Sequence, residues 1–295
     1  MSTFMQLLVS GILIGGIYAL MSMGLTLIFG VLRVVNFAHG EFLMLGMYGA
    51  WLVNSTLGMN PYLAMVVVVP AMALFGMLVH RLIIRPSVGK PELVVVFATM
   101  GLSILMQNVA LMLMTADLFD VPPMFGGRSL AVGPILVKAE LIIGFGVAIG
   151  LTALLRWLMH STYLGKAIRA TVQDREAAVL MGIPVPRIFL ITFAGGSALV
   201  GFAACTMMPI FSVFPTVGLN FVLIAFVIVV LGGMGSIEGA LIGGIGIGVI
   251  QSFASYYVAP AYGQLFFFVV FVLALIFRPS GLLGQKGTAQ LGVNT

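Results

Sequence analysis

One short stretch carries polar chemistry inside an otherwise apolar sequence: Arg33-Val34-Val35-Asn36-Phe37-Ala38-His39-Gly40-Glu41. Asn36, His39 and Glu41 offer hydrogen bonds to a polar solute, and His39 with Glu41 offers acid–base chemistry. An ionisable side chain among apolar neighbours at membrane depth is expensive, and by default it marks a site. Asn36 and Gly40 are poor helix formers, so the backbone is expected to be irregular here. Irregular backbone at that depth is tolerated only where it is buried in protein or lines a cavity. The alternative is an interfacial turn, with His39 and Glu41 capping the helix that follows. A second glutamate, Glu238, stands in a comparable break, Leu231-Gly232-Gly233-Met234-Gly235-Ser236-Ile237-Glu238-Gly239. Gly235, Gly239 and Gly243 are spaced by four, and Gly244 and Gly248 repeat the spacing. Such spacing gives a helix smooth faces for close packing. The two breaks lie in opposite halves of the chain, as interrupted helices of inverted repeats do.

A third segment, Ser161 to Pro184, has a different character. Helix formers run from Lys166 to Met181, and Gly182 and Pro184 stop them. The pattern predicts one short amphipathic helix. It is either a helix lying on the membrane or a docking surface with small residues, Ala177, Ala178 and Gly182, near its end. Several chemistries are missing from the sequence. It contains no Gly-x-x-x-x-Gly-Lys-[Ser/Thr] phosphate loop, no His-Glu-x-x-His and no Gly-x-Ser-x-Gly. No relay of Asp, Glu and His is strung along successive runs, as proton-driven carriers often have. The single Cys205 sits in an apolar run and reads as a small buried hydrophobe.

The elements that position these residues follow from composition. Of 295 residues, 61% are hydrophobic and 7% charged, whereas soluble domains carry roughly a quarter charged residues. Lipid is the solvent that fits. Apolar runs fall at about 6–32, 37–57, 61–80, 93–114, 139–159, 188–209, 220–231, 237–258 and 262–277. These predict an all-α polytopic bundle of about 8–9 spans, some of them interrupted, with a possible inverted repeat and a single domain over 1–295. The net charge of +5 lies in short loops, which points to membrane orientation rather than nucleic acid. Basic residues dominate 80–92 and 156–187, and Arg278 and Lys286 lie in the tail; Asp117, Asp120 and Glu140 outnumber the basic residues of 115–140. The expectation is a cytoplasmic loop at about 160–187, an external loop at about 115–138, a cytoplasmic C-terminus and an external N-terminus.

Taken together, several motifs resemble the LivH-type permeases of branched-chain amino acid ABC transporters. They are Asn36-Phe37-Ala38-His39-Gly40-Glu41, Arg85-Pro86, Gly101-Leu102-Ser103-Ile104 with Gln107-Asn108, Gly165 to Gly182, and Val230-Leu231-Gly232-Gly233-Met234-Gly235-Ser236. The likeness runs from Gly11 to Gly284. Two positions depart from it: Leu223-Ile224-Ala225-Phe226 where the family often has Leu-Lys-Ala-Phe, and His80 where it often has Glu. The resemblance implies a bacterial inner-membrane subunit of an ATP-driven importer, not an enzyme. It implies no cofactor of its own, ATP being used by a partner subunit. The implied partners are a second, LivM-like permease, cytoplasmic ATPase subunits and an external solute-binding protein, with the bilayer around them. The substrate pathway would involve Asn36, His39, Glu41, Gln107 and Glu238. The coupling loop would involve Gly165, Arg169, Asp174, Ala177, Ala178 and Gly182. Relatives of this family also import urea, amides and other small solutes. A stand-alone channel or carrier, or an intramembrane enzyme using His39 and Glu41, are the rival readings.

Overall fold

The computed structural model describes residues 2–124, 126–132, 135–258, 263–277 and 281–283. Each of the nine apolar runs is a helix. They are α1 Ser2–Leu32, α2 His39–Leu57, α3 Pro61–Val79, α5 Glu92–Met114, α6 Ala139–Ser161, α9 Val185–Met207, α10 Val217–Gly232, α11 Ile237–Tyr257 and α12 Gly263–Phe277. Among the described residues, six helices are long and apolar enough to cross a membrane, with α2, α10 and α12 outside that set. Local chemistry sets several boundaries. Gly58, left-handed at φ +64°, closes α2, and Asn60 caps α3 by accepting from the Leu63 amide, with Pro61 in the first turn. The basic segment 80–92 begins as helix rather than loop: α3 runs through a π-helical turn, His80–Ile84, into the short α4, Arg85–Ser87.

α1 is about 46 Å long at 1.5 Å per residue. His39, the first residue of α2, lies against Met21 and Gly24, well short of the α1 C-terminus. Residues 33–38 therefore climb back into the bundle before α2 starts. The second half of the chain does the same in reverse: after α9, residues 208–216 return inward, and α10 starts beside α2. The two helix starts touch at Gly40 and Gly218; a Cβ on Gly218 would lie 2.6 Å from the Gly40 carbonyl, and one on Gly40 would land on the Gly218 carbonyl oxygen. α2 and α10 then run to opposite ends of the bundle.

The remaining contacts obey the same exchange. α1 meets α9 through Gly24 and Gly196. α3 lies along α9 through Gly76 and Gly201, while α11 lies along α1, with Gly244 and Gly248 against Gly11 and Gly15. Ser236 caps α11 by accepting from the Gly239 amide, as Asn60 caps α3. This is an inverted repeat of α1–α2–α3 and α9–α10–α11. The counterpart of the 33–41 break is 208–216, not 231–239. The latter is the turn between α10 and α11 and matches the Gly58 turn between α2 and α3. The sequence reading paired the wrong segments because it followed the glutamates.

At one end of the bundle, β1 Ser129–Val132 and β2 Ile135–Lys138 form an antiparallel hairpin within the segment expected to be an external loop. Gln6 of α1 holds it, donating to the Leu136 carbonyl and accepting from the Leu136 amide. Phe119 and Val213 exchange backbone hydrogen bonds, and the Phe119 ring sits on Trp51 of α2 at 4.4 Å. At the other end lie α7 Tyr163–Gln173 and α8 Arg175–Leu180. The single helix expected over 166–181 is thus two, because Asp174 leaves helical geometry to cap α8, accepting from the amides of Glu176 and Ala177. The same end holds the last described residues: the amides of Leu282 and Leu283 donate to the carbonyls of Leu231 and Gly232 at the end of α10.

Candidate functional site

The break before α2 is enclosed by protein. Asn36, His39 and Glu41 are fully buried. The Asn36 Oδ1 accepts from the Ala38 amide at 3.1 Å, a local turn that starts the helix. The Phe37 amide donates to Thr99 Oγ1 of α5 at 3.3 Å. His39 Nε2 lies 3.0 Å from the Met21 carbonyl and donates to it. Glu41 Oε1 accepts from Gln107 Nε2 of α5 at 2.7 Å, and Gln107 also donates to Ser103 Oγ. Asn36 Nδ2, His39 Nδ1 and Glu41 Oε2 have no partner among the described residues. A buried polar atom left without a partner costs about 1–3 kcal/mol, so three in six residues make this an expensive piece of structure. Among the described residues no cation pairs with Glu41, and none of the His, Cys, Asp and Glu side chains group to hold a metal ion.

Four of the five residues read as pathway thus come together: Asn36, His39, Glu41 and Gln107. Glu238 does not join them. It forms an ion pair with Arg156 at the α8 end of the bundle, both side chains well exposed. Gly235 packs on Gly30, Gly239 on Gly232, and Gly243 against Ile228 and Gly232. His80 is buried beside Phe193 with ring centroids 5.8 Å apart, and both its nitrogens lack a partner among the described residues.

α7 lies across the ends of α1, α6 and α9. Gly165 lets it close on α6, since a Cβ there would land on the carbonyls of Leu158 and Met159. Its buried face is Gly165, Ala167, Ile168 and Thr171, so the small and apolar side of its amphipathic pattern is used on the bundle. Arg169 and Ala177 are exposed. Ala178, expected to meet a partner, is 3% exposed and packs inside its own chain. Arg175 stacks on the Phe189 ring of α9 at 5.1 Å. Gly182 adopts φ +79°, which favours glycine, and turns the chain into α9. The exposed side of α8 ends in Leu180 and Met181, 87% and 82% exposed. The sequence pattern places Met181 on a small or apolar face with Ala177 and Ala178, but gives no sign of Leu180.

The sequence profile of a family described as the permease component of branched-chain amino acid transport systems matches residues 7–275. The chain belongs to that family. Among curated relatives, the high-affinity branched-chain amino acid transport permease protein BraD of Pseudomonas aeruginosa is 31% identical, covering 96% of both chains. The LivH protein of Escherichia coli is 28% identical over 96% of each chain. A probable LivH of Methanocaldococcus jannaschii is 27% identical over 95% of this chain and 92% of its own. A solved structure of PsaBC from Streptococcus pneumoniae in complex with Fab shares the fold, with a TM-score of 0.51 at 15% identity, covering 92% of this chain and 91% of its own. This permease is therefore a multi-pass membrane protein and a transport component, not an enzyme.

Proposed function

We propose that this permease is one of two membrane subunits of an ATP-driven importer of branched-chain amino acids or a chemically similar small solute. It lies in a bacterial inner membrane with the α7–α8 end in the cytoplasm and the hairpin end outside. An external binding protein delivers solute at the hairpin end, and a second, related permease completes the pathway. A separate ATPase, which binds and hydrolyses the ATP, docks on α8. One observation carries this reading: α8 is pinned to the bundle through Ala178 and through Arg175 on Phe189, and it holds Leu180 and Met181 out into solvent. Together with the exposed Val179, these large apolar side chains on a pinned turn make an anchor for a groove on a partner. Asn36, His39, Glu41 and Gln107 form the break that moves as the pathway opens, and Glu238 with Arg156 braces α11 against α6 beside the docking end.

Leu180→Glu tests this. The variant is expected to insert normally, to lose the ATPase on purification in mild detergent, and to lose leucine import in cells. Full co-purification with undiminished import would remove α8 as the docking element and move attention to the basic turn at Arg81 and Arg85. A screen of leucine, isoleucine, valine, urea and short amides against the partner binding protein separates the solute classes.

A further inference from the structure

α5 is the least embedded of the long helices. It touches α2 and the π-helical turn, and its other side, with Phe97, Ile104, Leu105 and Met112, is exposed. Its buried face is Val95, Thr99, Leu102, Ser103, Met106 and Ala110. Among the described residues two long-range polar contacts fasten it, and both run to the α2 break: Phe37 to Thr99, and Glu41 to Gln107. Away from water, such bonds are strong and few alternatives compete with them, so they decide where α5 sits.

The residue after Glu41 points the other way, into a row of aromatic rings. Phe42 is fully buried, with its ring centroid 6.1 Å from Phe193 of α9 in an edge-to-face arrangement. Phe193 lies one helical turn beyond Phe189, the residue that carries Arg175 of α8. Close-packed interiors do not deform continuously; a displaced ring moves its neighbour or blocks it. α8, α9, α2 and α5 are thus joined in series by Arg175–Phe189, Phe193–Phe42 and Glu41–Gln107.

We propose that Glu41 and Gln107 are a latch that positions α5 against α2, and that Phe42 and Phe193 transmit displacement of α8 to that latch. α5 is then the helix that swings when the partner ATPase acts, and the Glu41–Gln107 bond sets how tightly its swing follows ATP hydrolysis. This rests on the docking of an ATPase at α8 proposed above. These are positioning residues, so the test must read coupling rather than transport alone.

The experiment uses the whole complex purified from cells expressing all its subunits, in vesicles, with leucine as solute and ATP hydrolysis measured in parallel. Spin labels at Leu57→Cys and Leu113→Cys, in a Cys205→Ala background, report the distance between α2 and α5. Gln107→Leu is expected to broaden that distance distribution and to raise the ATP hydrolysed per leucine imported several-fold, with the ATPase still bound. Gly101→Ala, on the same helix but with open space where its Cβ would go, is expected to hold near the parental ratio. A parental ratio and distribution in Gln107→Leu overturn the latch while leaving the docking proposal standing. Loss of the ATPase from the parental complex would instead count against the docking proposal. If Gln107→Leu fails to insert, Phe42→Leu decides: a raised ratio supports transmission, and a parental ratio overturns it.

Discussion

Glycine at residue scale does two different jobs in this permease. Gly40 and Gly218 stand where two helix starts meet backbone to backbone, whereas Gly101 on α5 has open space where a Cβ would go. Gly218→Ala forces the α2 and α10 starts apart and is expected to cost several kcal/mol, comparable to severe overpacking of a core. Gly101→Ala is expected to be neutral or slightly stabilising, since alanine favours helix by about 1 kcal/mol. Thermal unfolding of the two variants in detergent checks the contrast; equal midpoints would mean that the contact is not tight. The same scale shows what sequence alone conveyed. Asn36, His39 and Glu41 were legible because polar residues among apolar ones are conspicuous. Ala178 was misread because smallness suits an internal contact as well as an external one, and only the three-dimensional packing tells them apart. Leu180 carried no sequence signal beyond being apolar, in a chain where most residues are.

Among the elements, the apolar helices were legible to within about four residues at either end, because lipid demands long apolar runs. The interruptions were less so. Residues 208–216 hold no charged side chain; their signal is Pro209 and Pro215 bracketing a short apolar stretch, a weaker mark than a glutamate. The split at Asp174 had a signal that went unread: Asp followed by Arg175-Glu176-Ala177 is a helix start. Asp174 accepts two amide hydrogen bonds at the head of α8. Asp174→Ala is expected to cost about 1 kcal/mol of local stability, confined to α8. Hydrogen exchange should then speed up for the amides of 175–181 and stay unchanged in α9. Equal protection in both proteins would show that α8 is held by Ala178 and Arg175 without its cap.

For the whole molecule, the segments between the two halves of the inverted repeat give its ends distinct characters, hairpin and Phe119 at one, α7 and α8 at the other. The proposed orientation puts the second in the cytoplasm. With Cys205 replaced by Ala, a cysteine at Met181 should resist a membrane-impermeant thiol reagent in intact cells, while one at Leu118, also exposed, should react. The reverse pattern would invert the orientation and with it the docking proposal.

The meeting of Gly40 with Gly218 also governs how the protein is made. α2 begins with a histidine and a glutamate in the interior of the bundle and is not among the helices apolar enough to span by themselves. Its neighbours in the finished protein include α9 and α10, which leave the ribosome long after it does. At roughly 5–20 residues per second, α2 must wait on the order of ten seconds or more for the partners that enclose it. During that interval it has to be sheltered by the insertion machinery or parked at the membrane surface. Biogenesis of this permease is therefore expected to proceed by late, cooperative burial of α2 rather than by helices entering the bilayer one after another.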